Sequence, residues 1–132
     1  MQLDHVGWVT NDLALFEKFW VEILGFEKIF ESHIPDEMNH TLFGCKGAYC
    51  ARYKKEFTIE VHVYDEPVAV DKRPFNVFGL NHMALLVQDR KAFLDLYDFD
   101  KRVYHNPKGW DNIFIKDFEG NWIELREDWS KK

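Results

Sequence analysis

Residues 3–28, LDHVGWVTNDLALFEKFWVEILGFEK, decide the fold of this chain. The first eight of these residues alternate between two faces as in a β-strand, and His5 shares its face with small or apolar neighbours. Asn11 and Asp12 are good helix N-caps, and apolar residues then recur at helical spacing until Gly25, an expected C-cap glycine. The stretch therefore predicts a strand followed by a helix.

The same pattern returns in the second half of the chain. LNHM (80–83) matches LDHV (3–6) at an offset of 77 residues, and WIEL (122–125) matches TIEV (58–61) at an offset of 64. Short β-type runs follow the predicted helix in each half. Each half therefore reads βαβββ, and the sequence predicts an α+β fold with two tandem, related modules.

The boundaries of the two modules follow from composition. We expect the first module over residues 1–65, a linker over 66–78 with two prolines and mixed charge, and the second module over 79–132. Together they make one compact domain by length. Residues 32–41, which include His33 and His40, are predicted to form a long polar loop. His105 is also predicted to lie in a loop.

Composition limits the classes of partner. The chain has 132 residues, of which 46% are apolar, so it can bury a core. A net charge of −6 argues against nucleic acid and anionic membrane surfaces as partners. The N-terminal residues lack the pattern of a signal peptide, which favours a cytoplasmic location. Cys45 and Cys50 lack CxxC spacing and read as two reduced thiols.

Each half carries one histidine and one glutamate at corresponding positions. His5 and His82 lie in the two first strands, and Glu60 and Glu124 lie in the two last strands. Their apolar neighbours occupy the opposite faces, so the four side chains point away from the helix-packing core. If a pseudo-twofold axis relates the modules, the four can converge at it. Two imidazoles and two carboxylates suit one divalent transition ion, namely Ni²⁺, Co²⁺, Fe²⁺, Mn²⁺ or Zn²⁺.

These motifs resemble those of the vicinal oxygen chelate superfamily, which includes glyoxalase I, fosfomycin-modifying enzymes, extradiol dioxygenases and bleomycin-binding resistance proteins. The resemblance covers nearly the whole chain and rests on residues 3–28, LNHMALLVQD (80–89) and IKDFEGNWIEL (115–125). It implies two βαβββ modules that form a cup-shaped mixed sheet around a central metal site, and it implies a homodimer. The ligands carried over are His5, Glu60, His82 and Glu124, a set most like that of bacterial glyoxalase I.

The resemblance also implies a reaction class. In glyoxalase-like enzymes a divalent metal binds the vicinal oxygens of a small substrate and stabilises an enediolate or alkoxide during isomerisation, epimerisation or lyase chemistry. A ligand glutamate doubles as the base, and we expect Glu124 in that role, with Glu60 as the alternate. Val9 stands where bacterial glyoxalase I places an arginine for the glutathione carboxylate, which leaves the cosubstrate open.

Three further residues are candidates for substrate binding. Trp122 and Arg126 lie two residues either side of Glu124 and share its face, and His62 shares the face of Glu60. The alternative for Trp122 is a role in packing, and the alternative for Arg126 is a solvent-exposed side chain.

Two other functions remain open. One is a metal-free small-molecule (drug) binding protein of the bleomycin-resistance type, which fits the acidic charge and the five tryptophans but not the retained four-residue set. The other is an inactive relative in which those four residues form a hydrogen-bonded cluster.

Overall fold

Two units make up the chain, Met1–Asp71 and Lys72–Lys132, in a computed structural model that describes residues 1–69, 82–128 and 130. Each unit contains a four-stranded mixed sheet. The element order βαβββ occurs in both, so the predicted α+β fold of two related modules is confirmed. The later part of the predicted linker, residues 70–78, and the start of the second module at 79 lie outside the described residues.

The first unit carries four strands and two helices. Its sheet has the order β1-β4-β3-β2, with β1 parallel to β4 and the other neighbours antiparallel. The elements are β1 (Val6–Val9), α1 (Leu13–Glu17), which continues as a π-helix (Lys18–Ile23), β2 (Glu27–Ile34), α2 (Asp36–Phe43), β3 (Ala48–Lys54) and β4 (Thr58–Tyr64).

The second unit repeats this arrangement without a counterpart of α2. Its sheet has the order β5-β8-β7-β6, and β5 is parallel to β8. The elements are β5 (Met83–Val87), α3 (Arg90–Leu94), β6 (Lys101–His105), β7 (Asp111–Lys116) and β8 (Trp122–Glu127). The N-cap side chains of α1 and α3 are equivalent, because Asp12 accepts a hydrogen bond from the Leu15 amide and Asp89 accepts one from the Ala92 amide.

The core of the first unit lies on the helix-facing side of its sheet. Trp20 is completely buried, and its ring lies 5.7 Å from that of Trp8 and 5.3 Å from those of Phe19 and Phe26, measured between centroids. On β3 and β4, residues of odd number such as Tyr53 and Ile59 complete this side, because alternate side chains share a face. The residues of even number on β4, including the predicted ligand, are therefore directed to the other face.

The structure differs from the sequence prediction at two segments that were predicted to be loops. Residues 32–41 are not a loop, because β2 extends to Ile34 and α2 begins at Asp36. Pro35 fixes the start of α2, and Gly44 ends it with a φ of 69° in the left-handed region. His105 also lies in a strand, β6, although its side chain is exposed as expected.

The beginning of the predicted linker is attached to the first unit. The Asn11 side chain donates to the Val68 carbonyl and accepts from the Val68 amide, both at 2.7 Å. Asn11 therefore binds the segment that leaves the first sheet, while the neighbouring Asp12 caps the helix.

Candidate metal centre

In the first unit, a histidine and a glutamate lie on the same face of the sheet. His5, predicted within the first strand, lies directly before β1, and Glu60 lies on β4. Gly7 pairs with Glu60 in the β1–β4 register, and His5 precedes Gly7 by two residues, so all three share that face. Nε2 of His5 lies 3.8 Å from Oε1 of Glu60. The sequence-predicted pair is therefore brought together in this unit.

Asp4 orients the His5 ring. Nδ1 of His5 lies 2.6 Å from Oδ2 of Asp4, and the pKa of Asp4 is lowered, chiefly by this hydrogen bond. A carboxylate can only accept, so Nδ1 of His5 donates to Asp4, and Nε2 is the ring nitrogen that faces Glu60. Carboxylate-to-histidine contacts of this kind fix the tautomer of metal-binding histidines.

Two basic side chains contact Glu60. Arg52, directly opposite on β3, reaches Oε2 of Glu60 with both Nε and a terminal nitrogen at 2.7 Å, and Nε2 of His62 lies 3.0 Å from Oε1. Partial burial raises the pKa of Glu60, but the bonds from His62 and Arg52 outweigh it, and the pKa is lowered. Glu60 is thus held as an ionised, oriented carboxylate.

The surroundings of His62 are largely aromatic. Its ring lies 5.2 Å from that of Phe43, at the end of α2, and 6.0 Å from that of Tyr64. Cys50 pairs with His62 across β3 and β4 and is also buried. Burial raises the pKa of the Cys50 thiol, and the Glu60 carboxylate raises it further. Helix α2 therefore contacts the face of the sheet that carries Glu60.

The second unit contains the equivalent pair. Ala84 pairs with Glu124 in the β5–β8 register, and His82 precedes Ala84 by two residues. Nε2 of His82 lies 3.5 Å from Oε2 of Glu124, and the His82 ring packs against Phe114 at 5.1 Å. Phe114 occupies the position opposite Glu124 that Arg52 occupies opposite Glu60. The two glutamates therefore differ in their cross-strand neighbours.

The remaining candidates in the second unit lie on β8. Trp122 is buried, with the Lys116 ammonium 4.6 Å and the Arg102 guanidinium 5.1 Å from its ring centroid. Arg126 is exposed and lines, with Glu124, a cavity of about 160 Å³. The structure thus brings Arg126 and Glu124 to one cavity and packs Trp122 beneath basic side chains.

The donor pairs fit a divalent transition ion. A nitrogen and an oxygen that each bind one ion at about 2.0–2.2 Å lie roughly 3–4 Å apart. The separations of 3.8 Å and 3.5 Å in the two units are in this range. In addition, Arg52 donates to Oε2 of Glu60, whereas Oε1 is the oxygen that faces His5.

Three site residues were not identified from the sequence. Asp4 directly precedes His5, and this adjacency is the sequence feature from which its contact with the His5 ring could have been predicted. Cys50 and Arg52 alternate on one strand and therefore share a face, but only the β3–β4 register places them opposite His62 and Glu60. Register is set by long-range pairing, which the local pattern does not reveal.

Replacing Arg52 by glutamine is expected to raise the pKa of Glu60 in the metal-free protein, because the glutamate loses its cationic partner. Metal affinity should fall roughly 10- to 100-fold, as for other residues that orient ligands. Carbon-13 NMR titration of the Glu60 carboxyl group and a metal-binding isotherm measure the two effects. Lys54→Gln, on the same strand but exposed, is the control, and an unchanged Glu60 titration in Arg52→Gln would contradict the assignment.

No helix in the described part of the chain has the length and apolar character needed to cross a membrane.

A family model described as the Glyoxalase/Bleomycin resistance protein/Dioxygenase superfamily matches residues 4–115. No protein of curated function matches the sequence.

Solved structures share the fold. A glyoxalase family protein from Enterococcus faecalis has 24% identity and a TM-score of 0.71, with 94% of this chain and 95% of that chain covered. A glyoxalase family protein from Bacillus cereus has 18% identity and a TM-score of 0.74, with 96% and 93% covered. A mutant of the fosfomycin resistance protein FosX from Listeria monocytogenes, complexed with Mn(II) and 1S,2S-dihydroxypropylphosphonic acid, has 18% identity and a TM-score of 0.61, with 98% and 95% covered.

Proposed function

The chain belongs to the glyoxalase/bleomycin resistance protein/dioxygenase superfamily, and we propose that it is a metal-dependent enzyme of the glyoxalase type. His5, Glu60, His82 and Glu124 bind one divalent transition ion, and the substrate is a small molecule with two adjacent oxygen atoms. The reaction is an isomerisation, an epimerisation or a lyase reaction that begins with proton transfer at a carbon beside those oxygens.

The observation that carries this proposal is the repeated histidine–glutamate pair. Each unit holds an imidazole nitrogen and a carboxylate oxygen less than 4 Å apart, the histidine directly before its first strand and the glutamate on its last strand. The Listeria protein that shares this fold is complexed with Mn(II) and a dihydroxyphosphonate, which supports a divalent ion and vicinal oxygens here. The two pairs that bind one ion come from one chain or from two copies in a homodimer.

Glu124 is the better candidate for the catalytic base. Although burial raises the pKa of Glu60, the bonds from His62 and Arg52 lower it on balance, which makes that carboxylate a weak proton acceptor. Glu124 lies opposite Phe114 and lines a cavity, and among the described residues no arginine or lysine is within salt-bridge distance of it. Glu124 is therefore free to move a proton, while Glu60 serves mainly as an oriented ligand.

A divalent ion, when bound, supplies Lewis-acid stabilisation of negative charge on the substrate oxygens. The protein residues then have separate tasks. Glu124 takes and returns the proton at the substrate carbon, and His62 maintains the orientation of Glu60. Arg126, at the cavity beside Glu124, binds an anionic group of the substrate. Trp122 shares the face of Glu124 as an apolar candidate for substrate contact, but it is buried and does not line that cavity.

The experiment that tests this proposal is metal analysis of the purified, untagged protein. We expect about one divalent transition ion per chain, because His and carboxylate ligands select such ions over Mg²⁺ and Ca²⁺. A screen of small compounds with adjacent oxygens for exchange of carbon-bound hydrogen with deuterium would follow. Failure to bind Ni²⁺, Co²⁺, Mn²⁺, Fe²⁺ or Zn²⁺ even after incubation would contradict the proposal.

That negative result would favour the second candidate, a metal-free protein that binds small molecules of the bleomycin type. Both units also expose aromatic side chains: Phe43, at the end of α2, packs against His62, and Tyr104 lies on β6. With a net charge of −6, such surfaces suit a cationic, aromatic compound. Titration with cationic drugs, followed by tryptophan fluorescence, separates this function from the first.

A further inference from the structure

A second group of potential metal ligands lies entirely within the first unit. Cys50 on β3 and Glu60 and His62 on β4 each offer one ligand atom, and these atoms all lie within 4.8 Å of one another. Cys50 pairs directly with His62, and Glu60 shares their face two residues earlier. The backbone pairing of two neighbouring strands therefore positions all three side chains.

We infer that Cys50, Glu60 and His62 form a binding site for a thiophilic divalent ion, Zn²⁺ or Co²⁺. A cysteine, a histidine and a carboxylate are the ligand types that bind zinc in proteins. The thiolate disfavours hard ions such as Mg²⁺ and Mn²⁺, which prefer oxygen ligands. The ligand set thus differs in chemistry from the two-histidine, two-glutamate centre proposed above.

The geometry of this site requires little rearrangement. Nε2 of His62 is already 3.0 Å from Oε1 of Glu60. Ligand atoms on a tetrahedral zinc ion lie roughly 3.3–3.8 Å apart. Because all three ligand atoms already lie within 4.8 Å of one another, Sγ of Cys50 has to approach the other two by no more than about 1.5 Å. Nε2 of His5, 3.8 Å from the same Glu60 oxygen, is placed to be a fourth ligand.

The site is sheltered from solvent. Cys50 and His62 are only 5% and 7% exposed, and the Phe43 ring covers the His62 ring. The Glu60 side chain retains 17% exposure, which provides a route of entry for an ion. Low exposure strengthens electrostatic attraction between a cation and its anionic ligands, because fewer water molecules screen the charges.

Glu60 belongs to both ligand sets, which makes them alternatives. Arg52 occupies Oε2 of Glu60, so Oε1 alone is available to an ion. An ion that is bound by Cys50, Glu60 and His62 therefore makes Glu60 unavailable to the four-residue centre. The inference uses only first-unit residues and does not require the four-residue centre to exist.

The test is a titration of metal-free protein with Co²⁺ under reducing, anaerobic conditions. A cobalt–thiolate bond gives an intense charge-transfer absorption in the near ultraviolet, which nitrogen and oxygen ligands do not give. We expect this absorption to saturate at about one equivalent of Co²⁺ and to disappear when Zn²⁺ is added. Circular dichroism of each variant verifies that it is folded.

Matched variants identify the thiol. Cys45→Ser should keep the absorption, because Cys50 is then the one thiol left in the chain, and Cys50→Ser should lose it. His82→Ala/Glu124→Gln, which removes the second-unit pair, should also keep it. An absent charge-transfer band in Cys45→Ser overturns the inference, whatever the fate of Cys50→Ser. Loss of the band in His82→Ala/Glu124→Gln likewise overturns it.

The same titration separates this inference from the proposed function. Visible cobalt absorption without the charge-transfer band, in both the unmodified protein and His82→Ala/Glu124→Gln, means that the ion binds without Cys50, which rejects this site and leaves the four-residue centre untouched. If neither the charge-transfer band nor visible cobalt absorption is observed, both sites are rejected. A charge-transfer band that survives in His82→Ala/Glu124→Gln supports this site independently of the enzyme activity.

Discussion

The double variant His5→Ala/His82→Ala is expected to lose its divalent ion. Each substitution removes one imidazole nitrogen from a histidine–glutamate pair in which the partner oxygen is 3.8 Å or 3.5 Å away. Loss of a residue that merely orients a ligand already costs roughly 10- to 100-fold in affinity, so loss of two direct ligands should cost more than about 10⁴-fold. Elemental analysis and a competition titration with a chelator measure the loss.

The control for this variant is His40→Ala/His105→Ala, which removes the same number of imidazoles from exposed positions. It should retain the metal content of the unmodified protein. The titration should be made with Mn²⁺, because this ion disfavours the thiolate of Cys50 and therefore reports on the four-residue centre. Equal Mn²⁺ affinity in the two double variants would show that His5 and His82 are not the ligands.

Glu124→Gln is expected to slow proton exchange at the substrate carbon by about 10²–10⁴-fold, the usual contribution of a positioned base. Glutamine keeps the size of the side chain and an oxygen that can bind a metal, but it cannot accept the proton. Saturation with metal during the assay separates this effect from weaker metal binding. Deuterium incorporation followed by proton NMR, in the substrate found by the screen, measures the rate.

Two further variants are compared with Glu124→Gln in the same exchange assay. With metal at saturation, Glu60→Gln should retain more exchange than Glu124→Gln, because the bonds from His62 and Arg52 already reduce the basicity of Glu60. Glu56→Gln, an exposed change in the turn before β4, should have no effect. Unimpaired exchange in Glu124→Gln, with loss in Glu60→Gln, would assign the base to Glu60 instead.

Much of the fold could be predicted because it depends on local patterns. Alternation around His5 and Glu60 predicted which faces these residues occupy, and the registers Gly7–Glu60 and Ala84–Glu124 agree with that prediction. Helix α2 could not be predicted in the same way. Its sequence, DEMNHTLF, contains several residues of weak helix preference, so its helical state depends on packing such as that of Phe43 on His62 and Tyr64.

The repeated βαβββ order, the two histidine–glutamate pairs and the faces on which they lie can be predicted from the amino-acid sequence. These features follow from side-chain periodicity and from an internal repeat, both of which are visible along the chain. That Arg52 lies opposite Glu60 whereas Phe114 lies opposite Glu124, and that Cys50 lies beside His62, became known from the folded structure. Cross-strand neighbours are set by the register of strand pairing, a long-range property that alternation within one strand cannot specify.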